Sequence, residues 1–329
     1  MEAPAEIPPE PCAESGTRRH LRDDRPLLAD SAVEGQVQEE GQARGWAGPP
    51  PPNKKARLHP RIPRRCLHLF AGPDRAGDVE KCLADYAWSC HSVDVVRTDD
   101  PDGNLLDDAA WERLRARIEG KEFGFVLAGT PCSTFSRARE HPPGPRVVRS
   151  ADHPTGLPGL SGKEKEEVRK ANVLVDRTAE ACSLVAEQGG GFAIETPEPW
   201  PGKPSLLLMP VITELEKRFS ARRTFFDQCM LGAPSTKPTA ILFHRGGFIT
   251  LRQRCDHERK WHLDPKGQQA FSAHPTIWGS RTAGVWKTNE AALYSPTLCR
   301  ELARCVAVVQ PVVASDEPRA RLDIPAAGS

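Results

Sequence analysis

The sequence predicts an α/β fold built on a doubly wound, mainly parallel sheet. From Cys66 onward, short apolar runs alternate with segments of helical periodicity, which is typical of repeated β–α–β units. In 163–188, apolar residues recur at three- and four-residue steps until a run of glycines ends the helix. The run FGFVLA, which ends at Ala128, is typical of a buried strand. One sheet would therefore account for most of residues 66–309.

The predicted elements can be placed in order along this region. We expect strands at the short apolar runs 66–70, 92–96, 123–128, 192–194, 224–230, 239–243 and 248–251. We expect helices at the periodic segments 78–86, 109–118, 163–188 and 210–219. A last helix begins at Ser295 and Pro296, which form a good N-cap and first-turn pair, with Leu298, Leu302 and Cys305 facing inward.

Both ends of the chain differ in composition from this region. Only 38% of the residues are hydrophobic and 32 of the 329 are proline, which indicates that part of the chain does not enter a core. We therefore predict a disordered, Pro-rich and basic N-terminal region at 1–62 and a disordered tail at 310–329. The basic cluster 54–65 is typical either of a solvated linker or of a nuclear-import or phosphate-contacting arm.

Composition also excludes several classes of protein. The chain has no apolar run long enough for a membrane-spanning helix and no secretory signal. Its formal charge of +1 excludes a uniformly basic nucleic-acid binder but leaves room for a local basic patch. Ten cysteines in such a chain favour reduced thiols, some catalytic or metal-bound, over a disulfide framework. We expect a nuclear or nucleocytoplasmic location rather than secretion, and no membrane partner.

Four predicted strand ends carry residues that could do chemistry. In an open parallel sheet, ligands bind beyond the carboxyl ends of the strands. The segments at these ends are 70–77 with Gly72, 129–136 with Cys132, 194–200 with Glu195, and 231–239 with Lys237. Each also has an ordinary explanation: a tight turn, an inert buried thiol, an exposed glutamate and a surface lysine.

Cys132 and Glu195 are the candidates of greatest chemical interest. Pro131 fixes the backbone before Cys132, and Arg137 and Arg139 could lower the pKa of a thiol exposed at the sheet edge. Glu195 lies at a strand end bracketed by prolines, where a carboxyl group could be partly desolvated and protonated enough to act as an acid.

Taken together, the four segments resemble the DNA cytosine-C5 methyltransferase family in order and approximate spacing. LHLFAGPDRAG resembles its cofactor loop, GTPCSTFS its nucleophile motif, FAIETP its strand ending in Glu-Asn-Val, and LGAPSTKPTAILF its Y-G-V-P-Q-x-R-x-R-x-F segment. AALYSPTLCRELA is similar to its last helix. The resemblance covers roughly residues 66–308 and is most specific at Pro131-Cys132 followed by Phe135-Ser136.

Several positions depart from the family pattern. Asp74 and Arg75 stand where the family's cofactor loop is glycine-rich. The residues after the nucleophile and after the acid also differ, as do three positions of the fourth segment; these are Ser133, Thr196, Ser235, Lys237 and Thr239. The nucleophile and the acid remain while their supporting residues change, which indicates a divergent branch.

The resemblance implies a Rossmann-like fold of the S-adenosylmethionine-dependent methyltransferase type and methyl transfer to carbon 5 of cytosine in DNA. Cys132 would add to C6 of the base, Glu195 would hydrogen-bond to N3, and Lys237 would place a cation in the same crevice. The cofactor would be S-adenosyl-L-methionine. The positions that match cofactor-binding residues are Phe70, Gly72, Asp94 with Asp99 and Asp100 as rivals, Asp107 and Pro131.

On the same resemblance, 63–309 is a catalytic domain whose partner is DNA or RNA, and 246–285 is a small target-recognition region. The loop 140–162 is long, and basic side chains in and before it could contact phosphates; these are Arg137, Arg139, Arg146 and Arg149. A disordered surface loop is the alternative for this segment. For the whole chain, the alternatives are a catalytically inactive relic that binds nucleic acid and an RNA cytosine methyltransferase.

Cysteines and histidines late in the chain give a weak metal candidate. Cys255, His257 and His262, with Cys229 or His274 in reach, could supply four zinc ligands. Their spacing matches no established zinc motif, so we expect scattered polar residues and no metal site.

Overall fold

The computed structural model describes residues 62–140, 145–263, 267–275, 281–282, 285–286 and 293–309, all within the unit that spans 57–329. Six strands form the central sheet: β1 (Arg65–Leu69), β2 (Ser89–Val93), β3 (Phe125–Ala128), β4 (Gly191–Pro197), β5 (Arg222–Asp227) and β6 (Pro238–His244). They lie in the order β2-β1-β3-β4-β6-β5. The first four are parallel, and β6 runs antiparallel to both β4 and β5. The fold is thus mixed α/β with a mostly parallel sheet, as the sequence predicts.

The order of the strands reverses beside β1. The chain passes from β1 outward to β2 at the sheet edge, and then returns to place β3 on the opposite side of β1. Loops that leave the carboxyl ends of β1 and β3 therefore turn away from each other and leave a crevice between them. The Gly72 loop follows β1 and the Cys132 loop follows β3, so both border this crevice.

Helices cover both faces of the sheet. They are α1 (Val79–Ala84), α2 (Asp108–Glu119), α3 (Gly162–Glu187), α4 (Pro210–Phe219) and α5 (Pro296–Ala307). Buried residues of α2, α3 and α4 share one apolar cluster, and those of α1 and α5 share the other. This arrangement explains why β3 is apolar and buried throughout, since neither of its faces meets water.

Local sequence signals account for the ends of the helices. The Ser161 hydroxyl accepts the Glu164 amide while the Glu164 carboxylate accepts the Ser161 amide, a capping box that begins α3. The predicted pair Ser295 and Pro296 begins α5, with the Ser295 hydroxyl accepting the amide of Leu298. The predicted apolar faces of α3 and α5 are the buried ones.

Three sequence-based boundaries are corrected. Residues 248–251 were expected to be a strand, but Phe248–Leu251 is a 3₁₀ helix that packs Phe248 and Leu251 into the α1–α5 cluster. The predicted strand 92–96 lies at Ser89–Val93, and the predicted strand 224–230 ends at Asp227 and continues as the 3₁₀ helix Gln228–Leu231. Apolar composition alone does not separate a short strand from a buried 3₁₀ turn.

Two small hairpins follow the sheet. The strands β7 (Lys260–Leu263) and β8 (Gln269–Ser272) pair antiparallel, as do β9 (Arg281–Thr282) and β10 (Val285–Trp286). Within 246–285, the 3₁₀ helix Phe248–Leu251 is packed, whereas none of the described residues 252–263 and 267–275 is buried. The disorder predicted for 1–62 and 310–329 concerns residues that, apart from Ile62, lie outside the described ones. No helix in the described ranges is long and apolar enough to cross a bilayer.

Candidate active site at the carboxyl edge of the sheet

Glu195 lies near the carboxyl end of β4 and is almost completely buried, with 8% of its surface exposed. Its Oε1 atom accepts a hydrogen bond from Nε2 of Gln228 at 3.2 Å, and its Oε2 atom accepts one from the Tyr294 hydroxyl at 3.1 Å. The Lys237 ammonium lies 3.8 Å from Oε1. A buried carboxyl group with partners on both oxygens has a fixed orientation.

A second layer of hydrogen bonds holds these partners. Nε2 of Gln228 also donates to the Thr239 hydroxyl at 3.0 Å, and that hydroxyl donates to the Lys237 carbonyl at 2.9 Å. Lys237 itself has φ 36°, a left-handed backbone conformation that a residue with a Cβ rarely adopts. Strain of this kind persists where surrounding contacts enforce it, and it often marks functional sites.

Cys132 lies half-buried in the loop after β3, the strand that pairs with β4. The pKa of its thiol is raised to about 11, mainly by burial and secondly by the Glu195 carboxylate, while the Lys237 ammonium acts in the opposite direction. The prediction that Arg137 and Arg139 lower this pKa is therefore wrong. The thiol is more enclosed than expected, and the cation that acts on it is Lys237. We call Cys132, Glu195 and Lys237 the active-site cluster.

Gly129 shows how closely the surrounding loops approach one another. A Cβ at this position would lie 3.0 Å from the Tyr294 hydroxyl and 3.5 Å from the Phe70 carbonyl. The start of the Cys132 loop therefore contacts both the loop after β1 and the residue that holds Glu195. This contact brings the predicted site residues Phe70, Cys132 and Glu195 into one neighbourhood.

The Gly72 loop is a closed turn held by two side chains. The Gly72 amide donates to Oδ2 of Asp94 at 2.8 Å, and Nε of Arg97 donates to the Gly72 carbonyl at 2.9 Å. The other Asp94 oxygen accepts the Val96 amide at 3.1 Å. Asp94, predicted as an acid for the cofactor's ribose, thus lies beside Gly72, and both of its oxygens accept hydrogen bonds from backbone amides of the surrounding loops. Phe70 begins the turn in a left-handed conformation, φ 60°.

A cleft of about 610 Å³ adjoins this loop. Its lining comes from the loop, the start of α1, β2 and the segment 96–101, and includes Pro73, Asp99 and Asp100. Asp107 is exposed and accepts the Ala109 amide as the N-cap of α2, and it does not line the cleft. Of the predicted cofactor-binding acids, Asp99 and Asp100 therefore line the cleft, whereas Asp107 does not.

The predicted basic stripe is mostly paired with acidic side chains. Arg137 lies over the Trp200 ring at 4.2 Å and 3.9 Å from Glu140. Arg139 is bound to Glu167, and Arg146, with 60% of its side chain exposed, lies 3.3 Å from Glu164. Arg137 and Arg146 are the two members of the stripe that water reaches.

Arg149 is fully buried, so the prediction that it contacts phosphate is wrong for this structure. Its Nε donates to the Thr134 hydroxyl at 3.0 Å, another nitrogen donates to the Pro154 carbonyl, and the guanidinium lies 4.1 Å from the Phe135 ring centroid. Arg149 thereby ties the Cys132 loop to the segment 145–161. Burial lowers its pKa to about 10, which leaves it protonated near neutral pH.

Sequence reasoning missed two residues of the site. Gln228 stands in the stretch FFDQCML, where a polar side chain among apolar ones is a weak signal of a buried hydrogen bond. Tyr294 is one of only two tyrosines in the chain and directly precedes the N-cap of α5. Gln228 lies outside the segments that were assigned chemistry, and Tyr294 lies in AALYSPTLCRELA, which was matched to a last helix without a role for the tyrosine. Both contacts join residues that are far apart in the sequence.

One buried polar atom beside the acid has no hydrogen-bond partner among the described residues. It is Oε1 of Gln228, whose Nε2 donates to Glu195. The hydroxyl of Thr196 also has no described partner, but Thr196 is the next residue of β4 and faces the opposite side of the sheet from Glu195. Unsatisfied buried groups are uncommon and call for an explanation, of which a ligand is one.

The weak metal candidates are only partly brought together. Cys255 and His257 lie in one group with Cys229 and His274, whereas Nε2 of His262 is 3.1 Å from the Ser272 carbonyl across the β7–β8 hairpin. The expectation of scattered polar residues is therefore wrong for four of the five, and His262 is not part of the group. We call Cys229, Cys255, His257 and His274 the Cys–His cluster.

Comparison with models of known protein families and with curated proteins gave no match for this chain. The function is therefore argued from the residues of the site.

Proposed function

We propose that this chain is an S-adenosylmethionine-dependent methyltransferase that acts on carbon 5 of cytosine in DNA through a covalent Cys132 adduct. One observation carries the proposal: Cys132 and Glu195 lie at the carboxyl ends of the paired strands β3 and β4, near enough for the carboxylate to raise the thiol pKa. A thiol, a carboxyl group and an ammonium in one enclosed site are what addition to a pyrimidine ring needs.

The topology supports the same function. The thiol loop and the Gly72 loop follow β3 and β1, the two strands that flank the reversal of strand order. This is where nucleotide-like ligands bind in doubly wound sheets. A Rossmann-like fold of the methyltransferase type is part of the proposal.

The residues of the active-site cluster would divide the work. Cys132 would add to C6 as its thiolate, a form that the Lys237 ammonium favours. Glu195, when protonated, would hydrogen-bond to N3 and stabilise the negative charge that addition places on the ring. Oε1 of Gln228 is available to accept from the exocyclic amino group of cytosine. Once C5 carries the methyl group, loss of the C5 proton to solvent would release the cysteine as its thiolate.

The residues near Gly72 fit S-adenosylmethionine. The adjoining cleft has a volume in the range of small-molecule sites, and Asp99 and Asp100 in its lining are acceptors of the kind that ribose hydroxyls require. Asp94 would shape the Gly72 loop instead of binding the ribose. When bound, the cofactor supplies the electrophilic methyl group.

Entry of a base requires local opening. Both oxygens of Glu195 already accept hydrogen bonds, so N3 of the base would take the place of the Tyr294 hydroxyl. A base in a duplex must also leave the stack at a cost of a few kcal/mol. Arg137 and Arg146 are the exposed cations that we assign to the DNA backbone, and a nuclear or nucleocytoplasmic location belongs to the same proposal.

A catalytically inactive relic that binds nucleic acid is the second candidate. The observation that favours it is the raised pKa of Cys132, about 11, because a thiol held protonated is a poor nucleophile. Calorimetric titration with S-adenosylmethionine separates the two candidates, since a relic that only binds nucleic acid has no need of the cofactor.

The deciding experiment is adduct formation with DNA that contains 5-fluorocytosine. With S-adenosylmethionine present, the wild-type chain should give a complex that survives denaturing electrophoresis, and Cys132→Ala should give none. Cys182→Ala, which changes a thiol buried in α3 that does not line the cleft, should behave as wild type. A matched RNA substrate tests whether RNA is preferred. If wild-type protein forms no adduct, or Cys132→Ala forms as much, the catalytic proposal fails.

A further inference from the structure

The Cys–His cluster brings four potential metal ligands from three separate segments into one place. Cys229 lies in the 3₁₀ helix after β5, Cys255 and His257 lie in the irregular segment 252–259, and His274 follows β8. One ligand atom from each residue lies within 4.8 Å of every other.

The distances fit the edges of a tetrahedron around zinc. The Cys255 sulfur is 3.4 Å from Nδ1 of His257 and 3.4 Å from Nε2 of His274. Zinc bonds of about 2.3 Å to sulfur and about 2.0 Å to nitrogen at tetrahedral angles place sulfur and nitrogen about 3.5 Å apart. The cluster thus has the donor types of a closed Cys₂His₂ site, two of its six ligand-to-ligand distances match a zinc tetrahedron, and the other four are at most 4.8 Å.

Neighbouring residues hold the ligands in position. The Cys255 amide donates to Oδ2 of the buried Asp227 at 2.8 Å, and the Asp227 amide donates to the Gln253 carbonyl at 2.9 Å. Arg254, which lies between Gln253 and Cys255 in the sequence, donates to the two Glu198 carboxylate oxygens at 2.7 and 2.8 Å. These contacts fix the irregular segment 252–259 against the end of β5. Supporting contacts of this kind are typical of metal sites.

The β7–β8 hairpin, which precedes His274, is not held to the sheet by buried apolar side chains of its own strands. No residue of β7 or β8 is buried, and the Trp261 and Phe271 rings, which pack at 5.2 Å, remain 67% and 54% exposed. A two-stranded hairpin with so little burial is marginally stable by itself. His274, just beyond this hairpin, is therefore placed where a metal ion would fasten it to the sheet.

A second group of possible ligands makes a useful contrast. His91, Asp100 and Asp102 also lie close together, but Nε of Arg113 and Nη1 of Arg117 donate to the two Asp102 oxygens at 3.1 and 3.0 Å. The Asp102 charge is therefore already balanced by guanidinium groups. Among the described residues, no arginine or lysine side chain forms an ion pair with a member of the Cys–His cluster.

We propose that Cys229, Cys255, His257 and His274 bind one structural Zn²⁺ ion. As the two sulfur–zinc bonds form, each thiol releases its proton to solvent, so two thiolates and two neutral imidazoles give a site with no net charge. With four protein ligands the ion has no open position, and its role is to join the β7–β8 hairpin and the segment 252–259 to the sheet. The proposal does not depend on the methyltransferase assignment.

The test is the metal content of the full chain, purified under reducing conditions without chelator and measured by elemental mass spectrometry. Wild-type protein should carry about one zinc ion per chain, and Cys255→Ser should carry little. His262→Gln is the matched control, since His262 lies in the same hairpin outside the cluster, and it should retain the metal. Zinc in Cys255→Ser equal to that in wild type would overturn the proposal.

A second measurement remains informative if Cys255→Ser fails to fold. Cobalt(II) in place of zinc should give wild-type protein a thiolate-to-cobalt charge-transfer band, and His274→Cys, which keeps four ligands, should give a stronger one. Absence of this band in folded wild-type protein contradicts the site. Recovery of a Cys229–Cys255 disulfide with no bound zinc also contradicts it.

Discussion

Two polar clusters flank the short 3₁₀ helix Gln228–Leu231, and they surround their thiols differently. In the active-site cluster, one thiol lies near a carboxylate and an ammonium, which act on it in opposite directions. In the Cys–His cluster, two thiols lie near two imidazoles and within 4.8 Å of them. The first arrangement keeps a single thiol protonated near neutral pH. The second suits two thiolates that share one cation.

The helix between the clusters also connects them. The Gln228 side chain donates to Glu195, while the next residue, Cys229, belongs to the Cys–His cluster. A metal ion bound to Cys229 would restrain the backbone that presents Gln228. Because their chemistry differs, we expect the two clusters to respond separately to substitution and to chelator.

Replacement of the acid should have the largest effect. Glu195→Gln removes the proton donor, and we expect adduct formation with 5-fluorocytosine DNA to fall by about 10²- to 10⁴-fold. The same change should speed alkylation of Cys132 by iodoacetamide, because the carboxylate that raises the thiol pKa is gone. Peptide mass spectrometry measures alkylation, and metal content should not change. Parallel loss of both reactions would contradict the separate roles.

Loss of the buried guanidinium should be the next largest effect. Arg149→Ala leaves a cavity and removes the donors to Thr134 and Pro154, so the free energy of unfolding should fall by about 3 kcal/mol. Arg146→Ala, at an exposed position, should change it by less than about 0.5 kcal/mol. Urea denaturation compares the two. Equal effects would show that Arg149 does not hold the Cys132 loop.

Alkylation of Cys132 should depend steeply on pH. A pKa of about 11 instead of 9.0 makes the thiolate about 100-fold scarcer near neutral pH. The rate should therefore rise about tenfold for each pH unit and level off near pH 11. Lys237→Met should slow the reaction at every pH below that, since the ammonium lowers the thiol pKa. A plateau near pH 8 would contradict this account.

The alkylation rate of Cys255, in the Cys–His cluster, can be compared with that of Cys132 in the same protein. If they hold zinc, chelator should speed the alkylation of Cys255 and leave that of Cys132 unchanged. Acceleration of both would show that the clusters are not separate.

The smallest effect should come from the tyrosine at the acid. Tyr294→Phe removes the hydrogen bond to Glu195, and we expect a loss of about 1 kcal/mol in the free energy of unfolding. Tyr86→Phe changes the other tyrosine, which is exposed, and should have no measurable effect. Unchanged stability in Tyr294→Phe would mean that the Glu195 contact is not stabilising.

The sequence predicted most elements because each depends on neighbouring residues. The α5 helix begins at the expected cap, α3 spans almost the predicted range, and the apolar runs of β1, β3 and β4 are strands. Short segments whose state depends on packing were less predictable, as the 3₁₀ helix at 248–251 shows. The paired strands β7 and β8 were missed because little apolar periodicity marks them.

By itself, the sequence determined the α/β class, the order of the loops and the candidates Cys132, Glu195, Lys237 and Gly72, since strand ends can be located from local patterns. Only the tertiary structure decided the surroundings of these groups. It showed that burial raises the Cys132 pKa, that Gln228 and Tyr294 hold the acid, and that Arg149 is enclosed. It also brought together four potential metal ligands whose spacing along the chain matches no established zinc motif. Burial and contacts between distant residues arise only when the chain packs, and local patterns do not encode them.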